Sequence, residues 1–279
     1  MGRPAFRLAR PGRAADNRAV QHPLQTWPIR RPQRLDQLAW PAGLAVAVLG
    51  PHPDDFDCIA VTLRHLHQRG ARLAVAVLST GISGVEDADA DPPTPAHKAA
   101  LRRAEQQSSC RQFGLPADAL TFLPLAEDGE GEPADAPTNA QQVGDFLVAQ
   151  RPDLVFLPHG HDQKGGHRNV YALFRAAVAA HGLGVTALLN RDPKTVALRL
   201  DAGLPYDAAA AAWKAVLLRS HATQQRRNLR HRGRGFDARI LDMDQRSAAD
   251  LGWADEGVGA EVFELEIHRA GCALPPPPI

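Results

Sequence analysis

The chain is poor in sulfur, aromatics and net charge, and each shortage removes a class of function. Its 279 residues hold three cysteines, Cys58, Cys110 and Cys272. They are scattered, odd in number and form no CxxC pair, which excludes a disulfide framework and a cysteine zinc site. Aromatic residues make up 5%, and none is interleaved with the basic run at 226–235, so single-stranded nucleic-acid binding is disfavoured. A formal net charge of +1 argues for neither a nucleic-acid nor an anionic-membrane partner. No apolar run reaches membrane-spanning length. There is no GxGxxG and no P-loop, which speaks against a nucleotide cofactor. The arginine-rich start lacks the compact apolar segment of a secretory signal. Five prolines between Pro4 and Pro32 break any amphipathic import helix there. A cytoplasmic location is the expectation, with an organellar import peptide as the alternative reading of that start.

What is present is an α/β pattern. Hydrophobic residues make up 44%, enough for a sizeable core. Continuous apolar runs at 44–49, 73–78, 154–157 and 185–189 have the character of parallel strands covered on both faces. Helical patterns at 59–67, 96–113, 140–149 and 170–180 lie between or after them. A short strand is expected at 120–123, a helix at 208–220 and a late strand, at a sheet edge, at 261–267. Strands alternating with helices imply βαβ units and a Rossmann-like three-layer α/β/α sandwich with a mostly parallel sheet. The domain reading is an irregular Arg/Pro-rich arm over 1–42, held to the body by Trp27 and Trp40, one domain over 43–270, and a flexible proline-rich tail over 271–279. Acidic loops at 85–95 and 127–137 are expected to frame the mouth of a site.

Two clusters carry the chemistry. Pro51-His52-Pro53-Asp54-Asp55 directly follows the first apolar run, and Pro158-His159-Gly160-His161-Asp162, continuing to His167, follows another. Ligands in open parallel sheets bind at the carboxyl ends of strands, where both clusters sit. His52 and Asp55 are close enough across a turn to share an ion, and His167 arrives from a second strand end. Two histidines and one carboxylate leave a position for water, the catalytic rather than structural zinc arrangement. Asp54 is then placed to accept a proton from that water. Read alone, His-Pro-Asp-Asp fits a turn and a helix cap equally well; the second cluster favours the metal.

The first motif resembles the signature of the LmbE-like (PIG-L) deacetylases, zinc enzymes that remove the acetyl group from N-acetylglucosamine-type substrates. Thr80-Gly81 with Gly84, Arg102-Arg103-Ala104-Glu105, Phe113-Gly114-Leu115, Arg151-Pro152-Asp153-Leu154-Val155 and His221-Ala222-Thr223-Gln224 resemble further family elements, and the similarity spans most of residues 44–267. The resemblance implies zinc ligands His52, Asp55 and His167, Asp54 as general base, and hydrolysis of an acyl amide on an amino sugar or its conjugate by metal-activated water. His221 is implied as a further catalytic residue, the alternative being an ordinary surface histidine. The implied partner is a small N-acylated amino sugar or glycoconjugate, without nucleic acid or a membrane span; oligomeric state is not implied. The donor set also suits other divalent metals.

The chain departs from the family pattern twice. Phe56 stands where the family has Glu after the paired aspartates. Asp162-Gln163-Lys164-Gly165-Gly166-His167 replaces Asp-x-His-Pro-Asp-His, so Lys164 takes the place of the histidine thought to stabilise the oxyanion, and Gly166 that of an aspartate. A lysine ammonium serves the same electrostatic purpose; in a shifted alignment His161 supplies the imidazole instead. Arg102 and Arg103 read either as substrate contacts or as a solvated helix face, and His159 and His161 as orienting groups or a polar loop rim. The run from Arg226 to Gly235 reads as a phosphate or nucleotide-sugar contact, or as a solvated loop paired with acidic loops. The rival functions are a catalytically silent, metal-containing glycan-binding relative and a Rossmann-like binding module without metal.

Overall fold

Apolar runs that lie in the middle of a sheet must be covered twice, and the observed architecture does this. The structure, a computed structural model, describes residue 24 and residues 32–123 and 125–273. Trp27 and the proline run at 275–278 lie outside the described residues. The strands are β1 (Gln33–Arg34), β2 (Ala45–Gly50), β3 (Arg72–Val77), β4 (Leu120–Phe122), β5 (Leu154–Pro158), β6 (Val185–Asn190), β7 (Ala202–Tyr206) and β8 (Gly259–His268). The helices are α1 (Asp55–Cys58), α2 (Ala60–His67), α3 (Pro95–Phe113), α4 (Pro137–Gln150), α5 (Gly165–His181), α6 (Ala208–Arg219), α7 (Ala222–Arg232) and α8 (Phe236–Asp250).

One eight-stranded sheet runs in the order β1-β7-β8-β6-β5-β2-β3-β4. All neighbours are parallel except β8, which is antiparallel to both β6 and β7. Side chains alternate across the sheet, so Val46 and Val48 enter one core with Ile59, Leu63, Leu66 and Phe156. Ala47 and Leu49 enter the other, with Val143, Leu147, Val170 and Phe174. These two cores, with helices over each face, make the expected α/β/α sandwich. The chain leaves β2 towards β3 and leaves β5 towards β6, so neighbours β2 and β5 mark the point where strand order reverses. A crevice forms beyond the carboxyl ends at such a point, and both histidine clusters open into it.

Two expectations about the edges differ from the structure. Gln33 and Arg34 pair with β7 and add a strand to the sheet, so the described end of the arm is ordered against the body. Trp40 packs against the first core and donates Nε1–H to the Leu35 carbonyl of the same segment at 2.9 Å. The late strand β8 lies inside the sheet, between β6 and β7, not at its edge. Its three glutamates, Glu261, Glu264 and Glu266, are all buried. Each is neutralised by a group from a distant element: Glu261 by Lys214, Glu264 by His159 and Arg199, Glu266 by Arg175.

Lys214 is the most enclosed of these cations. Its Nζ donates to Asp244 at 2.6 Å, to Glu261 at 2.7 Å and to the Cys58 carbonyl at 2.5 Å. Glu261 in turn accepts the Val61 and Thr62 amides at the start of α2. Burial and Glu261 push the Asp244 carboxyl up to about 6 against the pull of Lys214. Removing only the cation leaves two carboxylates facing each other in the core. Lys214→Met is therefore expected to destabilise the fold by roughly 3–5 kcal/mol, read as a lower urea midpoint at unchanged slope.

Candidate metal centre

The site begins with strained backbone. Asp54 has φ 133°, a region that non-glycine residues rarely enter and that costs about 1–3 kcal/mol. Its surroundings hold it there. The Asp54 amide donates to Gln106 Oε1 at 3.0 Å. Arg102 donates to the Pro53 carbonyl and, at 2.9 Å, to Asp54 Oδ2. Gly81, itself at φ 65°, closes the other side; a Cβ there would lie 2.8 Å from Pro53 and 3.2 Å from Arg102. The bend directs the Asp54 and Asp55 side chains into the crevice, where both line one cavity with His52, Lys164 and His167.

His52, Asp55 and His167 each present a donor atom, all within 4.8 Å of one another. His52 Nδ1 lies 3.3 Å and His167 Nε2 3.8 Å from the Asp55 carboxylate. Burial alone would push the Asp55 carboxyl up, but His52 and His167 hold it well below the usual carboxylate range. Burial would likewise lower His167. Asp162, Asp192 and Asp55 outweigh it and raise the imidazole to about 9. This negative field, with two imidazoles and a carboxylate converging, fits a divalent cation. Asp162, His167 and Asp192 form a second such grouping that shares His167.

Outer partners orient the donors. His167 Nδ1 is 3.4 Å from Asp162 Oδ2, but the approach is misaligned and the buried nitrogen has no hydrogen bond among the described residues. His52 Nε2 is 2.6 Å from Glu132 Oε2, and Lys164 Nζ is 3.3 Å from Glu132 Oε1. Glu132 escaped the sequence reading, because it lies 80 positions from His52 in a loop that showed only acidity. A Cβ at Gly166 would lie 2.0 Å from Glu132 Oε2. The glycine that replaces the family aspartate thus leaves room for a carboxylate from another loop. This pairing was invisible in one sequence, although Gly166 marked the vacancy.

The remaining sequence candidates separate clearly. Phe56 is buried and stacks edge-on against Phe113 at 5.0 Å, away from the cavity. Arg102 is 1% exposed, so the solvated-face reading fails for it; Arg103 lies over the Phe122 ring. His221 is fully buried and bonds through Nε2 to Asp57 at 2.6 Å rather than lining the cavity. Asp57 also accepts from Ser109 and Gln106. His159 is buried against Glu264, and His161 is exposed. Gln224 lines the cavity and donates to the Gly84 carbonyl at 2.9 Å. Glu105 accepts from the Thr223 amide and hydroxyl, both at 2.7 Å, fixing the start of α7.

Comparison with known proteins bears on the fold and on one segment of the chain. No curated protein sequence matches the chain. N,N'-diacetylchitobiose deacetylase from Pyrococcus horikoshii, solved with an inhibitor, shares the fold at TM-score 0.65 and 18% identity, over 80% of this chain and 84% of that one. The 4-carboxy-2-hydroxymuconate hydratase from Pseudomonas putida matches at TM-score 0.63 and 17% identity, over 83% and 100%. A zinc-inhibited form of teicoplanin deacetylase matches at TM-score 0.59 and 14% identity, over 82% and 99%. Among the described residues no helix is long and apolar enough to cross a membrane. Residues 47–178, which carry the two histidine clusters, match the family described as PIG-L, GlcNAc-PI de-N-acetylase.

Proposed function

We propose that the protein is a metal-dependent N-deacetylase that hydrolyses the acyl amide of an amino sugar or its conjugate. The observation carrying this is the meeting of His52, Asp55 and His167 at the switch point, with Asp54 lining the same cavity. These three side chains would hold a divalent ion, zinc by its preference for imidazole and carboxylate donors. Bound there, such an ion supplies a water of pKa about 7 and polarises a carbonyl.

The protein groups supply the rest. Asp54 takes a proton from water as its oxygen bonds to the acyl carbon, then returns it to the amine as the C–N bond breaks. Arg102 fixes the Asp54 carboxylate by donating to its Oδ2. Lys164, at the cavity wall, donates to the oxygen on which negative charge grows. His221 acts as a positioning residue: through Asp57 it steadies α1, which begins at Asp55. Glu132 fixes the ring of His52.

Acetate release from a panel of N-acetylated amino sugars tests the reading, with metal titrated rather than added in excess because one similar structure is of a zinc-inhibited form. The fold also serves a hydratase, so the fold alone does not select the reaction. Absence of metal-dependent acetate release across the panel would overturn the proposal. Glu132→Ala is expected to weaken zinc binding about 10- to 100-fold, the usual cost of losing a carboxylate behind a ligand histidine, measured by chelator competition. Lys164→Ala is expected to lower kcat by about 10- to 100-fold with little change in KM, since its donor acts on charge that develops only during reaction. A defect confined to KM would contradict that role.

A further inference from the structure

The cavity over the ligand triad is lined by six cations: Arg102, Lys164, Lys194, Arg227, Arg232 and Arg239. Two are neutralised, Arg102 by Asp54 and Glu105, and Lys164 by Glu132. The other four have no carboxylate within ion-pairing distance among the described residues. Three of them, Lys194, Arg227 and Arg239, are half-buried, where an unpaired charge is costly. Burial lowers the Lys194 pKa, and the nearby charges of Lys164 and Arg239 lower it further. The nearest acid, Asp192, accepts the Lys194 backbone amide at 2.9 Å and is grouped with His167 and Asp162 at the metal end.

These cations come from three elements: the loop after β6, α7 and α8. Helical phase on α7 separates them from their neighbours. Gln224, Asn228 and Arg232 recur every four residues, with Arg227 beside them, and all four line the cavity. On the outer face Arg226 and Arg230 bind Asp89 and Glu86 of the acidic loop. The outer arginines therefore tie α7 down, and the inner ones are left for something absent from the chain. All four unpaired cations lie outside residues 47–178, the segment that matches the family.

We infer that Lys194, Arg227, Arg232 and Arg239 form an anion subsite, so the substrate carries a phosphate or carboxylate group besides its acylated amine. Planar guanidinium groups recognise both through paired N–H donors. The inference rests on the deacetylase reading for the identity of the sugar, but the cation cluster stands apart from it. Lys194 and Arg239 lie close enough for their charges to interact, and Gly81 and Ser83 of the loop after β3 line the same cavity.

The test compares the metal-loaded protein with its Arg227→Gln, Arg239→Gln double variant. Acetate release is measured from N-acetylglucosamine, N-acetylglucosamine 6-phosphate and N-acetylmuramic acid, and binding of glucosamine and glucosamine 6-phosphate by calorimetry. At least one anionic substrate is expected to exceed the neutral sugar in kcat/KM by about tenfold or more, the scale of one charge-assisted hydrogen bond. The preference should collapse towards one in the double variant and fade with added salt. The phosphate and carboxylate arms distinguish the two sources of charge. Equal rates and equal binding for neutral and anionic sugars overturn the subsite while leaving the deacetylase reading intact. A preference that survives the double substitution overturns its assignment to these residues. If no sugar is deacetylated, yet glucosamine 6-phosphate binds at least about tenfold tighter than glucosamine and the double variant loses that margin, the subsite stands and the deacetylase reading falls. Thermal melting confirms that the variant is folded.

Discussion

The Asp54→Asn protein is expected to bind zinc like the parent and to release acetate about 100- to 10,000-fold more slowly, the contribution of a positioned general base. Asparagine matches the shape of the aspartate and tolerates positive φ better than most residues, so the strained turn at φ 133° survives. Its amide oxygen still accepts from Arg102, which otherwise donates to Asp54 Oδ2 at 2.9 Å. Only the ability to take and return a proton is removed. The deficit should therefore appear in kcat, with KM little changed. Equal rates in variant and parent would remove Asp54 from the proton-transfer role, and a parallel loss of zinc would recast it as a ligand.

His167→Ala is expected to have the largest effect on metal binding. It removes one of three donors that lie within 4.8 Å of one another. The loss of affinity should exceed the about 10- to 100-fold expected for an outer partner such as Glu132. The same change leaves Asp55, Asp162 and Asp192 with less positive charge nearby, so melting temperature should fall modestly. Zinc titration with a chromogenic chelator measures the first effect and calorimetry the second. Zinc affinity like that of the parent would show that the triad is not the metal site. The comparison with Glu132→Ala orders the two shells of residues by the size of their losses.

The framework of this site was legible in sequence because its signals are local. A buried parallel strand is a continuous apolar run, and residues 44–49 and 154–157 announced β2 and β5 without reference to anything else. A motif directly after such a run sits at a strand end, which puts His52, Asp54 and Asp55 there from sequence alone. His167 followed because its segment leaves a second strand by the same rule. Other assignments failed where the deciding contact was remote. The late strand β8 reads as an edge strand until β7 is brought against it, and its glutamates are buried because Lys214, His159, Arg199 and Arg175 meet them. Arg102 looks like a surface residue until α3 turns it under the Asp54 bend. The basic run at 226–235 looks uniform until helical phase gives Arg226 and Arg230 to the acidic loop and Arg227 and Arg232 to the cavity.

By itself, then, the sequence determined the layered α/β architecture, the strand ends that carry chemistry and the donor types on offer. Apolar periodicity and short-range motifs depend only on neighbours along the chain. Only the tertiary structure decided that Glu132 occupies the space beside Gly166, that His221 serves Asp57, and which arginines remain without a counter-charge. Pairing between charges 80 or more positions apart is set by how the sheet and its helices close, and that packing leaves no mark in either local segment.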